Sequence, residues 1–133
     1  MTIFSKIIQG EIPCFKVAED DRFFAFLDIR PMTKGHTLVV PKLETDYIFD
    51  LPDDLLGDMM VFAKKVANAI SSVVLCKRVG VAVLGMEVPH AHIHLVPLQR
   101  ESDLSFERSP LKISKEEMSE LSVQLQNAFE KTK

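Results

Sequence analysis

Cysteine is scarce in this 133-residue chain: Cys14 and Cys76 are the only two, and neither lies in a CxxC pair or beside a histidine. That spacing gives no thiolate metal motif and favours two buried thiols in a reducing cytosol. A positive excess is missing too. Sixteen Lys and Arg face nineteen Asp and Glu, a formal net charge of −3 with a pI near 5.8. Binding DNA or RNA by phosphate neutralisation needs clustered cations, so no nucleic-acid polymer is expected as a partner. A small nucleotide stays open, because local donors can hold one. No apolar run approaches the roughly 20 residues of a membrane helix. The start, "MTIFSKIIQGEIP", has no long apolar core and meets Glu11 at once, unlike a signal peptide. Repeats, low-complexity segments and linkers are absent. With 47% hydrophobic residues the chain can bury a core. One domain over residues 1–133 is expected, cytoplasmic and without a membrane partner.

The pattern of apolar residues gives the elements. "IFSKIIQG" reads as a short helix ended by Gly10. Cys14 to Asp20 and Arg22 to Asp28 read as strands around a charged Asp20–Asp21 turn, and His36 to Lys42 as a third strand after the "RPMTKG" loop. From Leu51 the period changes. Leu55, Met59, Phe62, Val66, Ile70 and Val73 mark a long amphipathic helix with acidic residues crowding its start. Arg78 to Leu84 and Pro89 to Pro97 read as two more strands. A polar segment runs from Gln99 to Ser109. "SKEE" at Ser114 to Glu117 then opens a last helix, about 114–130, as a capping box. Short links between strands favour an α+β fold: a five-stranded antiparallel sheet with a long helix and a C-terminal helix.

The stretch "EVPHAHIHLVP" holds three of the four histidines, at positions 90, 92 and 94. On a strand, alternate side chains share a face, roughly 6.6–6.8 Å apart. His90, His92 and His94 therefore form one row, and Ala91, Ile93 and Leu95 form an apolar support behind it. A metal could use such imidazoles. Yet the outer pair would be roughly 13 Å apart at the backbone, and a ligand such as His36 would have to help. Covalent chemistry on phosphorus needs no metal. One imidazole nitrogen attacks an α-phosphate while the other is held as N–H by an acceptor, and neighbouring histidines donate to oxygens or to the leaving group.

"HAHIHLV" fits the His-φ-His-φ-His-φ-φ pattern of the histidine triad (HIT) superfamily. "IFSKIIQGEIPCFKVAEDDRFFAFLDIRPMTKGHTLVVPK", from Ile3 to Lys42, resembles the N-terminal half of its Hint branch. The likeness spans roughly residues 3–98. It implies a purine nucleotide as partner and hydrolysis of purine nucleoside 5′-phosphoramidates or dinucleoside polyphosphates. His92 would be the nucleophile, His94 would contact the phosphate and leaving group, and His90 would orient the nucleophile. His36 matches the family's upstream histidine. Asp28 matches the acid that holds the ribose hydroxyls, and Ile29, Phe4 and Ile7 match walls of the purine pocket. The resemblance also implies a homodimer with joined sheets and packed long helices.

Two departures bear on substrate choice. Met86 stands where relatives often carry glutamine, and Glu87 where many carry a hydroxyl. Neither side chain can donate a conventional hydrogen bond to phosphate when Glu87 is ionised. Some bacterial relatives hold structural zinc through an N-terminal CxxC. Here Thr2 and Ser5 take those places and Glu44 replaces a histidine, so no metal and no other cofactor is expected. Two alternatives remain: a nucleotide-binding regulatory module with little turnover, and a histidine-ligated metal enzyme.

Overall fold

A computed structural model describes residues 1–133. Its centre is a five-stranded sheet, antiparallel at every pairing. In chain order the strands are β1 (Lys16–Glu19), β2 (Phe23–Leu27), β3 (Thr37–Pro41), β4 (Arg78–Ala82) and β5 (Ile93–Leu98), and across the sheet they run β1-β2-β3-β5-β4. Three α-helices accompany them: α1 (Ile3–Ile8), α2 (Asp53–Val73) and α3 (Lys115–Glu130). The expected α+β architecture is therefore present.

Strand alternation divides the buried residues between two faces. Phe23, Ala25 and Leu27 of β2, Val39 of β3, and Ile93 and Leu95 of β5 join the main core under α2 and α3. Phe24, Phe26, Leu38 and Val40 point the other way and pack with Phe4 of α1. Helix α2 adds Met59, Phe62, Val66 and Ile70, and α3 adds Met118, Leu121, Leu125 and Phe129. These are the residues the period of 3.6 singles out. Each such side chain, fully buried, contributes about 1.5–3 kcal/mol. The C-terminal helix thus packs on its own chain, against α2 and β1.

Boundaries differ from the sequence reading where backbone chemistry intervenes. Helix α2 starts at Asp53 because Leu51, before Pro52, is held extended (ψ 143°). The Asp20 carboxylate ends β1 early by accepting from the backbone N–H groups of Arg22 and Phe23, both at 2.8 Å. Ser114 Oγ caps α3 by accepting from Glu117 N–H at 3.1 Å, the serine half of the expected box. Strand β4 stops at Ala82 rather than Leu84, and β5 begins at Ile93 rather than Pro89. The pairing of Val39 with Ile93 puts Pro41 opposite Ala91, and proline has no N–H to extend the ladder. Residues 83–92 are thereby released from the sheet and shape a cavity.

Candidate active site

The cavity, about 530 Å³, opens on the Phe4 face of the sheet between α1, the 28–36 loop and the 84–88 loop. His92 and His94 line it, and so do Asp28, Ile29, Phe4 and Ile7. The structure thus brings together every residue the resemblance singles out except His90, whose ring lies fully buried behind the wall. Ala91, Ile93 and Leu95 face the opposite core, as alternation requires.

His36 enters from the start of β3. Gly35, at φ +99°, makes the turn that delivers it. A Cβ there would stand 3.0 Å from Val74 and 3.1 Å from Pro97, so both the backbone angle and the space call for glycine.

The hydrogen-bond partners assign each ring its proton. Met32 N–H donates to His36 Nδ1 at 3.1 Å, so the His36 proton sits on Nε2. That Nε2–H donates to His94 Nδ1 at 3.0 Å, which leaves His94 with its own proton on Nε2. His92 Nδ1–H donates to the His90 carbonyl at 2.7 Å, which leaves His92 Nε2 bare. Neither the Nε2 of His92 nor that of His94 has a protein partner, and no buried polar side-chain atom is unsatisfied, so both reach open space. The rings of His92 and His94 are 4.9 Å apart between centroids. A lone pair and an N–H donor thus stand side by side on one wall.

Electrostatics keep His36 and His94 neutral near pH 7. Burial first, and then the neighbouring His36 and His92, push His94 down to about 3. Burial, helped by His92, lowers His36 to about 4. Burial also lowers His90, against the opposing pull of the Pro41 carbonyl and Glu44. Asp28 is pushed up by burial, although it accepts from Arg30 N–H at 2.9 Å. Asp28 Oδ2 lies 3.6 Å from His36 Nε2. With His36 neutral near pH 7, that approach is not an ion pair.

Asp28, His36 and His94 place one potential ligand atom each within 4.8 Å of one another. The donor set does not suit a cation. His36 Nε2 carries the proton as long as Nδ1 accepts from Met32, so it offers no lone pair. The second possible metal position, behind the wall, has two hydroxyls in place of thiolates and a carboxylate in place of a histidine. Thr2, Ser5, Glu44 and His90 do meet there, joined directly by hydrogen bonds.

The purine-wall residues differ in exposure. Phe4 is buried and edge-on to His92 at 5.0 Å, Ile7 is half-buried, and Ile29 is 73% exposed at the mouth. Met86 and Glu87 line the cavity and are exposed. Residues 99–109 read in the sequence as a polar segment without a role. The chain instead folds back so that Phe106 packs edge-on against His94 at 5.0 Å and Arg108 lines the cavity. Arg108 is tethered by its bonds to the carbonyls of Met32 (3.1 Å) and Asp103 (2.9 Å). A lone aromatic and an arginine in a polar stretch were the available signals.

Known proteins share both the sequence and the shape. The family profile described as "HIT domain" matches residues 9–101. An uncharacterized HIT-like protein of Borreliella burgdorferi is 36% identical over 131 residues, covering 92% of this chain and 94% of its own. Adenosine 5′-monophosphoramidase HNT1 of Saccharomyces cerevisiae is 41% identical over 101 residues, covering 74% of this chain and 63% of the yeast protein. The crystal structure of a Hit-like protein from Bartonella henselae superposes with a TM-score of 0.82 at 28% identity, covering 96% of this chain and 95% of that one. The histidine wall, the sheet order and these matches agree: the chain belongs to the HIT family.

Proposed function

We propose that the protein hydrolyses purine nucleoside 5′-phosphoramidates or dinucleoside polyphosphates at the α-phosphate, through a nucleotidyl-His92 intermediate. One observation carries this reading: the bare Nε2 of His92 beside the Nε2–H of His94 on the cavity wall. The yeast relative's phosphoramidase activity supports the substrate class. In the first step the His92 Nε2 lone pair forms a bond to the α-phosphorus and the bond to the leaving group breaks. His94 Nε2–H donates a hydrogen bond to a phosphate oxygen beside the departing atom, which leaves as an anion or takes its proton from solvent, and His36 Nε2–H polarises His94 from the other side. In the second step water attacks the same phosphorus and releases its proton to solvent, the P–N bond breaks with its electron pair returning to His92, and the nucleoside monophosphate departs. Asp28 accepts from the ribose hydroxyls, and Phe4, Ile7 and Ile29 flank the base.

The test is His92→Ala with an adenosine phosphoramidate and a dinucleoside polyphosphate as substrates. Hydrolysis is expected to vanish while the circular dichroism spectrum is unchanged. Wild-type turnover by that variant would rule the reading out, and mass-spectrometric capture of nucleotide on His92 would identify the intermediate directly.

The exposed Met86 and Glu87 favour a second reading, a nucleotide-binding module with little turnover, since neither supplies an amide for phosphate. Tight AMP binding without hydrolysis across the same substrates separates it from the first. A homodimer fits the apolar residues left exposed: Val81 and Leu84 on and beyond the free edge of β4, and Met60 and Val61 on α2. Two free thiols accord with a reducing cytoplasm.

A further inference from the structure

Behind the histidine wall, outside the cavity, the first turn of α1 and the loop after β3 close around His90. Glu44 Oε1 accepts two hydrogens from α1, the Thr2 N–H and the Ser5 Oγ–H, each at 2.7 Å. Thr2 Oγ1 caps the helix by accepting from Ser5 N–H at 3.0 Å. The hydroxyl hydrogen of Thr2 goes to His90 Nδ1 at 2.7 Å. That direction is forced from the far side of the ring, because His90 Nε2 faces the Pro41 carbonyl at 2.8 Å and must be the protonated nitrogen. The ring of His90 is therefore clamped between the N-terminus of the chain and the end of β3.

We propose that Glu44, Ser5 and Thr2 form a latch that positions His90 and, through it, the His92 ring. The proposal rests on the reading of His92 as nucleophile. Two routes lead from the latch to His92. The first is the main chain: the carbonyl of the clamped residue, His90, is the acceptor that fixes His92 Nδ1–H and so keeps Nε2 bare. The second is α1 itself. It has six residues, too few to hold a helix alone, and it carries Phe4, which packs edge-on against both His90 (5.7 Å) and His92 (5.0 Å). Glu44 holds the first turn of that helix in place while Thr2 ties it to His90. Thr2, Ser5 and Glu44 are positioning residues, for none of them lines the cavity. A wrong or mixed tautomer at the nucleophile would lower the chemical step without touching the nucleotide's own contacts.

Thr2→Val keeps the β-branched shape and removes the hydroxyl; Thr2→Ser restores it. Steady-state kinetics on the adenosine phosphoramidate and long-range 1H–15N spectra of the imidazoles read the two ends of the latch. The Thr2→Val protein should lose kcat by about tenfold, the scale on which partners that orient a histidine act, with KM much less affected. His90 should keep its Nε2–H form, held by the Pro41 carbonyl, while its Nδ1 resonance shifts with the lost hydrogen bond, and His92 should lose part of its Nδ1–H population. Thr2→Ser should recover both, and Glu44→Ala should resemble Thr2→Val. An unchanged His92 spectrum in Thr2→Val overturns the proposal, whatever happens to kcat. So does a loss of kcat that Thr2→Ser does not recover. If the wild-type protein hydrolyses no nucleotide, the hydrolase reading fails by itself, and the imidazole spectra alone decide the latch.

Discussion

Four histidines in this chain have four different jobs because each ring touches different partners. His36 passes a hydrogen to His94, His94 presents one to the cavity, His92 presents a lone pair, and His90 is held closed on both sides. The depressed values of His36 and His94 have a consequence for stability. The folded protein resists protonating these rings, whereas the unfolded chain takes up protons near the ordinary histidine value. Between about pH 6.5 and about pH 4 the unfolded state binds more protons, so stability falls as the pH is lowered through that window. Above it, the contribution of the two neutral rings is fully present. Thermal melts from pH 7 to pH 4 should show this decline in the wild type, and a shallower one in His94→Gln. Identical slopes would contradict the neutral assignment. Both residue types and positions were legible in the sequence as three alternating histidines plus one upstream. Which nitrogen carries each proton was not, because Met32 N–H, the Pro41 carbonyl and Thr2 reach the rings only in the folded chain.

At the scale of elements, short irregular stretches build more of the site than the strands do. His90 and His92 lie before β5, not within it, because Pro41 ends the ladder. Gly35 delivers His36, and a substitution there has a definite cost. Gly35→Ala meets a backbone angle of +99° and contacts at 3.0 and 3.1 Å, so it should destabilise the fold by about 1–3 kcal/mol. Chemical denaturation measures this, and a loss below about 0.5 kcal/mol would mean the loop can relax around the methyl group. Periodicity identified α2, α3 and all five strands, since burial on one face leaves a repeating mark. It could not place the segment around Phe106 and Arg108, because a loop that folds back over a cavity leaves no repeat to read.

In the whole molecule, one sheet separates two kinds of burial. The face under α2 and α3 is apolar apart from the buried hydroxyls of Thr37 and Ser122, while the other carries the histidines and the cavity. The unpaired edge of β4 and the exposed Met60 and Val61 bear on assembly. The expected homodimer has twice the chain mass of 15.0 kDa, which light scattering or sedimentation would detect. A single species at the chain mass across micromolar concentrations would exclude it. No helix is long and apolar enough to cross a membrane. The sequence by itself determined the α+β class, the two helical stripes, the common face of His92 and His94 and the family likeness. Those features depend on periods and residue types, which are local properties of the chain. Only the tertiary structure decided the tautomers, the meeting of Thr2, Ser5 and Glu44 with His90, and the return of Phe106 to His94. Each of these joins residues distant in sequence, and hydrogen-bond direction and packing exist only once the chain has closed.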